Sequence, residues 1–346
     1  MQPVALMARK SAGSRIQTIE DIARMAAVSK STVSRALNDS PLIARKTKQR
    51  IQAIAHEHQF RIDASARRLS LKQSRTIAFV THGCYTEFSC ADLFTLEILG
   101  GISVGLHANG YDLLLANVDP RDTTWARDYL DSGRADGFIL IMPSRKQIHI
   151  RTLLEMQAPF IIWGVPPART SCCSVTGDNV RGGRLATERL IEIGRKRIAF
   201  LGGPPEEVEV QQRHAGYREA LQTVSLPVDS TLAAYGDFSD RSGAAAMLRL
   251  LEQAPDLDGV FVSGDLMAIA AMKTLRERGR RVPDDVAVVG YDDLSIAQHA
   301  VPPLTTVSQN VPLAGKLLAE NLLQYIKTGI VTNVSVSVHL VVRESA

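Results

Sequence analysis

Between residues 18 and 60 the apolar positions recur at helical spacing. Ile19, Ile22, Ala23 and Ala26 follow a start signal in which Thr18 caps and Asp21 reaches back to it. The stretch "AAVSK" predicts a tight turn, with Val28 turned inward and Ser29 as the next cap. A second helix then runs to Asn38 with Val33 and Leu37 inward, and "NDSP" breaks it. A third helix, from about Thr47 to His58, buries Ile51, Ile54 and Ala55. Three short helices with a tight turn between the first two make a helix-turn-helix unit. Its second helix turns Lys30, Ser31, Ser34 and Arg35 outward, as either a solvated face or a reader of the major groove.

The period changes at Ile77. "TIAFV", "YDLLLANV", "ADGFILIMP", "PFIIWGV", "RIAFLGG", "DGVFVSGD" and "DVAVVGYDD" are short, nearly continuous apolar runs, with helical stretches between most of them. Such runs predict parallel strands covered on both faces, here arranged as two doubly wound lobes. In that architecture ligands bind beyond the carboxyl ends of the strands, so the residues just after each strand are the ones to weigh. Between the two regions lies "DASARRLSLKQSRT", a linker in which Asp63 can cap a short helix too weak to stand alone. Leu69, an apolar side chain among arginines, suits a wedge between base steps.

Charge sharpens this division. The net charge of the 346-residue chain is +4, but residues 1–75 hold 15 Lys+Arg against 5 Asp+Glu, while the rest holds 25 against 31. A head of +10 on a body of −6 is built to meet a polyanion. No apolar run reaches the roughly 18–20 residues of a membrane span. The first residues lack the apolar stretch and cleavage site of a signal peptide, which predicts a cytoplasmic protein with no membrane partner. Residues 1–17 form a basic extension, with Met7 as an alternative start. The cysteines Cys84, Cys90, Cys172 and Cys173 have no zinc or CxxC spacing and read as reduced thiols, with oxidant response at the adjacent Cys172 and Cys173 the alternative. No metal, cofactor or catalytic motif appears, and the expectation is a protein that is not an enzyme.

The segments "TIEDIARMAAVSKSTVSRALN", "ASARRL", "GRKRIAFLGGP", "RHAGYREAL", "VPDDVAVVGYDD", "PPLTTVSQN" and "LVVRES", in this order, resemble those of the lactose-repressor (LacI) family of transcription regulators. The resemblance runs from Thr18 nearly to the C-terminus. It implies a helix-turn-helix domain at 18–62, a hinge helix and linker at 63–75, and a periplasmic-binding-protein-like effector and dimerisation core at 76–346. The implied partners are operator DNA, a pseudo-palindrome gripped by a homodimer, and a small-molecule effector. Lys30, Ser31 and Arg35 would read base edges, while Thr18, Ser29, Thr32, Ser34 and Asn38 would mostly touch phosphates. Leu69 would wedge into the minor groove with Ala66 beside it. Ala44 departs from the family by standing where a capping serine is usual, and "FRID" replaces a more rigid hinge entry.

The same resemblance assigns the effector site. Arg213 would hold ligand hydroxyls or carboxylates, Asp292 would accept hydrogen bonds, and Phe238 would stack on the ligand. Asp92 and Phe94 occupy an aromatic segment of the family, Trp163 ends a strand, and Asp178 lies near the crossing between lobes. Gly264 stands where a polar ligand contact is common, and Asp265 would supply that contact instead. Acids and an arginine around aromatic faces suit a polyhydroxylated ring, so a sugar is expected, an α-linked disaccharide in particular. Four of these residues also have a purely structural reading: Trp163 as lobe packing, Asp178 as a hinge, Asp292 as a helix cap, Arg213 as the partner of a surface acid. The alternatives are a purine- or nucleoside-responsive corepressor-type member and a solute-binding protein with no DNA role.

Overall fold

The structure is a computed structural model that describes residues 18–37, 39–60, 73–82, 93–119, 121–141, 147–167 and 170–346. The chain forms two compact units, Met1–Lys72 and Gln73–Ala346.

In the first unit α1 (Ile19–Met25) opens on a reciprocal capping box: Thr18 Oγ1 accepts the Asp21 N–H at 3.3 Å, and Asp21 accepts the Thr18 N–H at 3.3 Å. α2 (Lys30–Leu37) is capped by Ser29, whose Oγ accepts the Thr32 N–H at 3.2 Å. α3 (Arg45–Glu57) starts two residues before the apolar pattern suggests, and Ala44 at its N-cap offers no side-chain acceptor. Ile22, Val33, Ala36 and Ile51 are fully buried between the three helices, whereas Val28, Leu37 and Ile54 are only half-buried around them. Arg50 donates to the Ala26 carbonyl at 2.7 Å and ties α3 to the turn.

The second unit begins with β1 (Thr76–His82), α4 (Leu93–His107), β2 (Asp112–Val118), α5 (Trp125–Asp131), β3 (Gly137–Ile141), α6 (Gln147–Glu155), β4 (Phe160–Trp163) and β5 (Cys173–Gly177). The chain then crosses to α7 (Asn179–Glu192), β6 (Ile198–Gly202), α8 (Val208–Thr223), β7 (Ala233–Tyr235), α9 (Asp240–Gln253), β8 (Gly259–Val262), α10 (Asp265–Glu277), β9 (Ala287–Asp292) and β10 (Thr305–Ser308). It returns through α11 (Val311–Thr328) and β11 (Asn333–Val336) and crosses a last time to β12 (His339–Val341). Lobe 1 has the sheet order β11-β5-β4-β3-β1-β2 and lobe 2 the order β12-β10-β9-β8-β6-β7. Each is parallel apart from β12, which runs antiparallel on β10. The long apolar runs all become strands. The strands that the pattern leaves unmarked, β5, β7, β10, β11 and β12, are short or mixed in polarity.

Ser74 and Arg75, at the end of the linker segment, are already built into lobe 1: their backbone N–H groups donate to the Asp136 carboxylate at 2.6 and 2.8 Å. The three crossings between lobes converge. Asp178 N–H donates to Val336 O at 3.2 Å, and a Cβ on Gly177 would stand 2.8 Å from Gln309 Oε1. A side chain at 177 would push the end of that glutamine away from the strand.

Candidate nucleic-acid interface and ligand cleft

On α2, burial of Val33 and Ala36 leaves Ser29, Lys30, Ser31 and Arg35 exposed and Thr32 and Ser34 half-buried. Thr18 is exposed at the start of α1. The hydroxyls form a local net, with Ser29 Oγ 2.8 Å from both Ser31 Oγ and Thr32 Oγ1. Lys30 pairs with Glu20 of α1, and its ammonium holds that carboxyl below the usual carboxylate range. Arg35 thus stands on a convex, hydroxyl-rich helix surface, where a guanidinium can make a bidentate contact with a guanine edge. Asn38, Ala66 and Leu69 lie outside the described residues.

The polar residues of lobe 2 are gathered where its strands end. α8 packs against α7 at van der Waals distance, since a Cβ on Gly183 would stand 2.0 Å from the Arg213 carbonyl oxygen. That approach sets Arg213 over the strand ends. Its Nε donates to Asn179 Oδ1 at 2.9 Å, its Nη1 donates to the Ser263 carbonyl at 2.7 Å, and its guanidinium stacks 3.8 Å above the Tyr291 ring. Arg213 therefore joins the starts of α7 and α10 to the end of β9 rather than pairing with a surface acid. A guanidinium has five N–H groups, so two bonds leave it able to hold a ligand oxygen as well. Burial pushes the Tyr291 phenol up to about 12, so the ring stays neutral beneath the cation.

Asp292 ends β9 at φ +111°, and Asp293 follows at +57°. Strained backbone of this kind persists where the surroundings over-determine it, and it is a common mark of ligand sites. Gln309, fully buried at the crossing, donates from Nε2 to Asp292 Oδ1 at 2.6 Å. Phe238 also has a positive φ, +72°. Its ring occupies the space a side chain at 203 would need: a Cβ on Gly203 would lie 2.3 Å from Phe238 Cζ. A Cβ on Gly264 would in turn lie 3.3 Å from Phe238 Cδ1 and 3.8 Å from Asp292 Oδ2. The ring, the carboxylate and the bare glycine backbone consequently face one space. In lobe 1, Phe94 and Trp163 sit with ring centroids 6.2 Å apart, Trp163 buried and Phe94 half-buried. Asp92 lies outside the described residues.

Asp265 and Asp178 are both engaged within the protein. Asp265 does not replace the polar contact missing at Gly264: it has no exposure, Oδ2 accepts the Leu294 N–H at 2.8 Å, and Oδ1 accepts the Thr306 hydroxyl at 2.6 Å. Both oxygens point into the protein and fasten the segment after β9. Burial, followed by the nearby charge of Asp292, raises its carboxyl well above the ordinary range. Asp178 caps α7, accepting the Arg181 N–H at 3.2 Å, which places it in the crossing. Cys172 and Cys173 are both buried and unpaired, and burial pushes the Cys172 thiol up to about 12, far from a reactive thiolate. Asn179 and Gln309 are the residues that the sequence reading passed over. Asn179 orients Arg213 and Gln309 orients Asp292, and the only trace of either in sequence is a place within two residues of a strand's end.

Family models agree with this architecture. Residues 18–62 match the model for bacterial regulatory proteins of the lacI family, and residues 187–346 match a periplasmic binding protein-like domain. The regulator CelR of Thermobifida fusca is 38% identical over 339 residues, 96% of this chain and 98% of that protein. The HTH-type transcriptional repressor PurR of Vibrio atlanticus is 32% identical over 315 residues, 90% of this chain and 92% of that protein. Among solved structures, a complex of CelR with cellobiose matches 95% of this chain and 99% of its own at 37% identity and a TM-score of 0.73. The lac repressor dimer bound to operator and the anti-inducer ONPF matches 95% and 98% at 28% identity and a TM-score of 0.78. A shared helix-turn-helix head, a shared two-lobed core and end-to-end similarity to named regulators place the chain in the LacI family of bacterial transcription regulators.

Proposed function

We propose that this regulator is a repressor that binds a pseudo-palindromic operator as a homodimer and is released by a glucose disaccharide of the cellobiose type. The observation that carries the ligand class is the joint setting of Arg213, Asp292 and Phe238. A cation and a carboxylate, each fixed by a buried amide, stand beside a ring, which suits the hydroxyls and the flat face of a sugar. The similarity to CelR, solved with cellobiose, turns the expected linkage from α to β. Phe94 and Trp163 would receive the sugar from lobe 1. On α2, Lys30, Ser31 and Arg35 would read bases, with Thr18, Ser29, Thr32 and Ser34 on phosphates. Exposed Leu96 and Val104 on α4 and Leu115 on edge strand β2 offer apolar surface for the second copy. An operator partner places this work in the cytoplasm.

Thermal unfolding of the full chain with cellobiose, maltose and purine bases tests the reading. At 100 times its dissociation constant a ligand adds about 2.7 kcal/mol of stability. Cellobiose should raise Tm and weaken binding to operator DNA in fluorescence anisotropy. A Tm shift from a purine base alone, or tighter operator binding with cellobiose, would replace this reading with the corepressor one.

A further inference from the structure

Among the described residues, two hydrogen bonds outside the crossings span the lobes. Glu209, in the first turn of α8, accepts the Val165 N–H of lobe 1 at 2.6 Å. Glu97, on α4 of lobe 1, accepts the Ser295 N–H of lobe 2 at 2.7 Å. Both pair a carboxylate with a backbone N–H, a charge-assisted bond about twice as strong as a neutral one. Neither N–H can move without its backbone, so separating the lobes beyond the reach of the two glutamate side chains breaks both bonds.

Their positions connect them to the cleft. Glu209 is one helical turn before Arg213, so both side chains leave the same face of α8. Val165 is two residues beyond Trp163, and Ser295 is three residues beyond Asp292. The segments that offer the candidate ligand contacts are therefore the segments the two carboxylates fasten across the gap.

We infer that Glu209 is a positioning residue that couples occupancy of the cleft to closure of the lobes, with Glu97 as its counterpart on the other segment. The coupling to a ligand rests on the proposed sugar-binding reading, whereas the clasp itself does not. A ligand that draws Arg213 and Trp163 together favours the Val165 bond. A ligand too bulky to sit beneath that bond has to break it, and so Glu209 helps set which ligands close the protein.

The test uses the full-length chain and the substitutions Glu209→Ala and Glu209→Gln. Hydrogen exchange of the Val165 amide without ligand reads the clasp directly: protection should fall by about tenfold or more in Glu209→Ala. In Glu209→Gln most of it should return, because the amide Oε1 still accepts the N–H. Cellobiose affinity by calorimetry should fall by about tenfold in Glu209→Ala and far less in Glu209→Gln. The ratio of operator affinities without and with cellobiose should shrink in the same order. Unchanged Val165 exchange in Glu209→Ala overturns the clasp. Lost protection with unchanged affinity and unchanged ratio overturns the coupling. If the unsubstituted protein ignores cellobiose, the sugar reading fails, and the exchange experiment alone still decides whether Glu209 holds the lobes.

Discussion

Helix α2 and the strand ends of lobe 2 use polar residues in opposite ways. On α2 the polar side chains are exposed or half-buried, and their bonds are local, from Ser29 to Ser31 and Thr32 or from Lys30 to Glu20. Their removal leaves Val33, Ala36 and Ile51 packed as before. In lobe 2 the polar side chains are buried and bonded to segments remote in sequence: Arg213 to Asn179 and Ser263, Gln309 to Asp292, Asp265 to Thr306. A buried polar group left without its partner costs the full desolvation penalty. Function and stability should thus separate cleanly in the head and be inseparable in the cleft.

The largest effect is expected where they are inseparable. Arg213→Ala strips partners from Asn179 Oδ1 and the Ser263 carbonyl and uncovers the Tyr291 ring. With two bonds to a buried cation lost, stability should drop by about 3 kcal/mol in urea unfolding. Sugar binding should disappear in the same protein. Arg213→Lys should rescue neither, since a point charge cannot reproduce the fork. Full stability with lost binding would break the comparison, because the cleft would then behave like the head.

The matching experiment in the head is Arg35→Ala. Loss of a bidentate arginine–guanine contact should cost about 1–3 kcal/mol of operator affinity and relax preference at one base pair. Urea unfolding should move by no more than about 0.5 kcal/mol, as for other surface changes. Operator affinity measured against a panel of single-base variants decides it. A uniform loss across the panel would reassign Arg35 to phosphate contact.

The same contrast explains what could be read from sequence. The head was legible because its site lies on one short helix, where period and caps alone decide which side chains face out. The alternation of apolar runs likewise revealed the two parallel lobes. The cleft was legible only through resemblance, and only for its conspicuous residues, Arg213, Asp292 and Phe238. Gln309 and Asn179 gain their roles from the meeting of the crossings, which no local pattern encodes. Asp265 was misplaced because a carboxylate at the start of a helix beside a glycine reads as open to ligand. The fold instead turns it inward, onto Leu294 and Thr306.

Asp265→Asn should leave sugar affinity alone and isolates that last point. Asparagine keeps the shape, and its oxygen can accept the Leu294 N–H while its amide donates to Thr306 Oγ1. The folded carboxyl of Asp265 is raised above its unfolded value of 3.8 by burial and by Asp292. Its contribution to stability is then fully present below the unfolded value and is lost as pH rises through the folded one. Asparagine does not titrate. The variant should accordingly gain on the unsubstituted protein as pH is raised from acid toward neutral, and the gap should stop growing once Asp265 is ionised. Paired thermal melts across that range measure the difference for Asp265 together with Asp292, whose charge acts on it, and titrating groups remote from this pair cancel between the two proteins. Sugar affinity should be the same in both, because the carboxylate faces the protein rather than the cleft. A variant whose stability tracks the parent at every pH while its sugar affinity collapses would return Asp265 to the ligand site, and the buried residues of lobe 2 would then have to be read as contacts rather than as their supports.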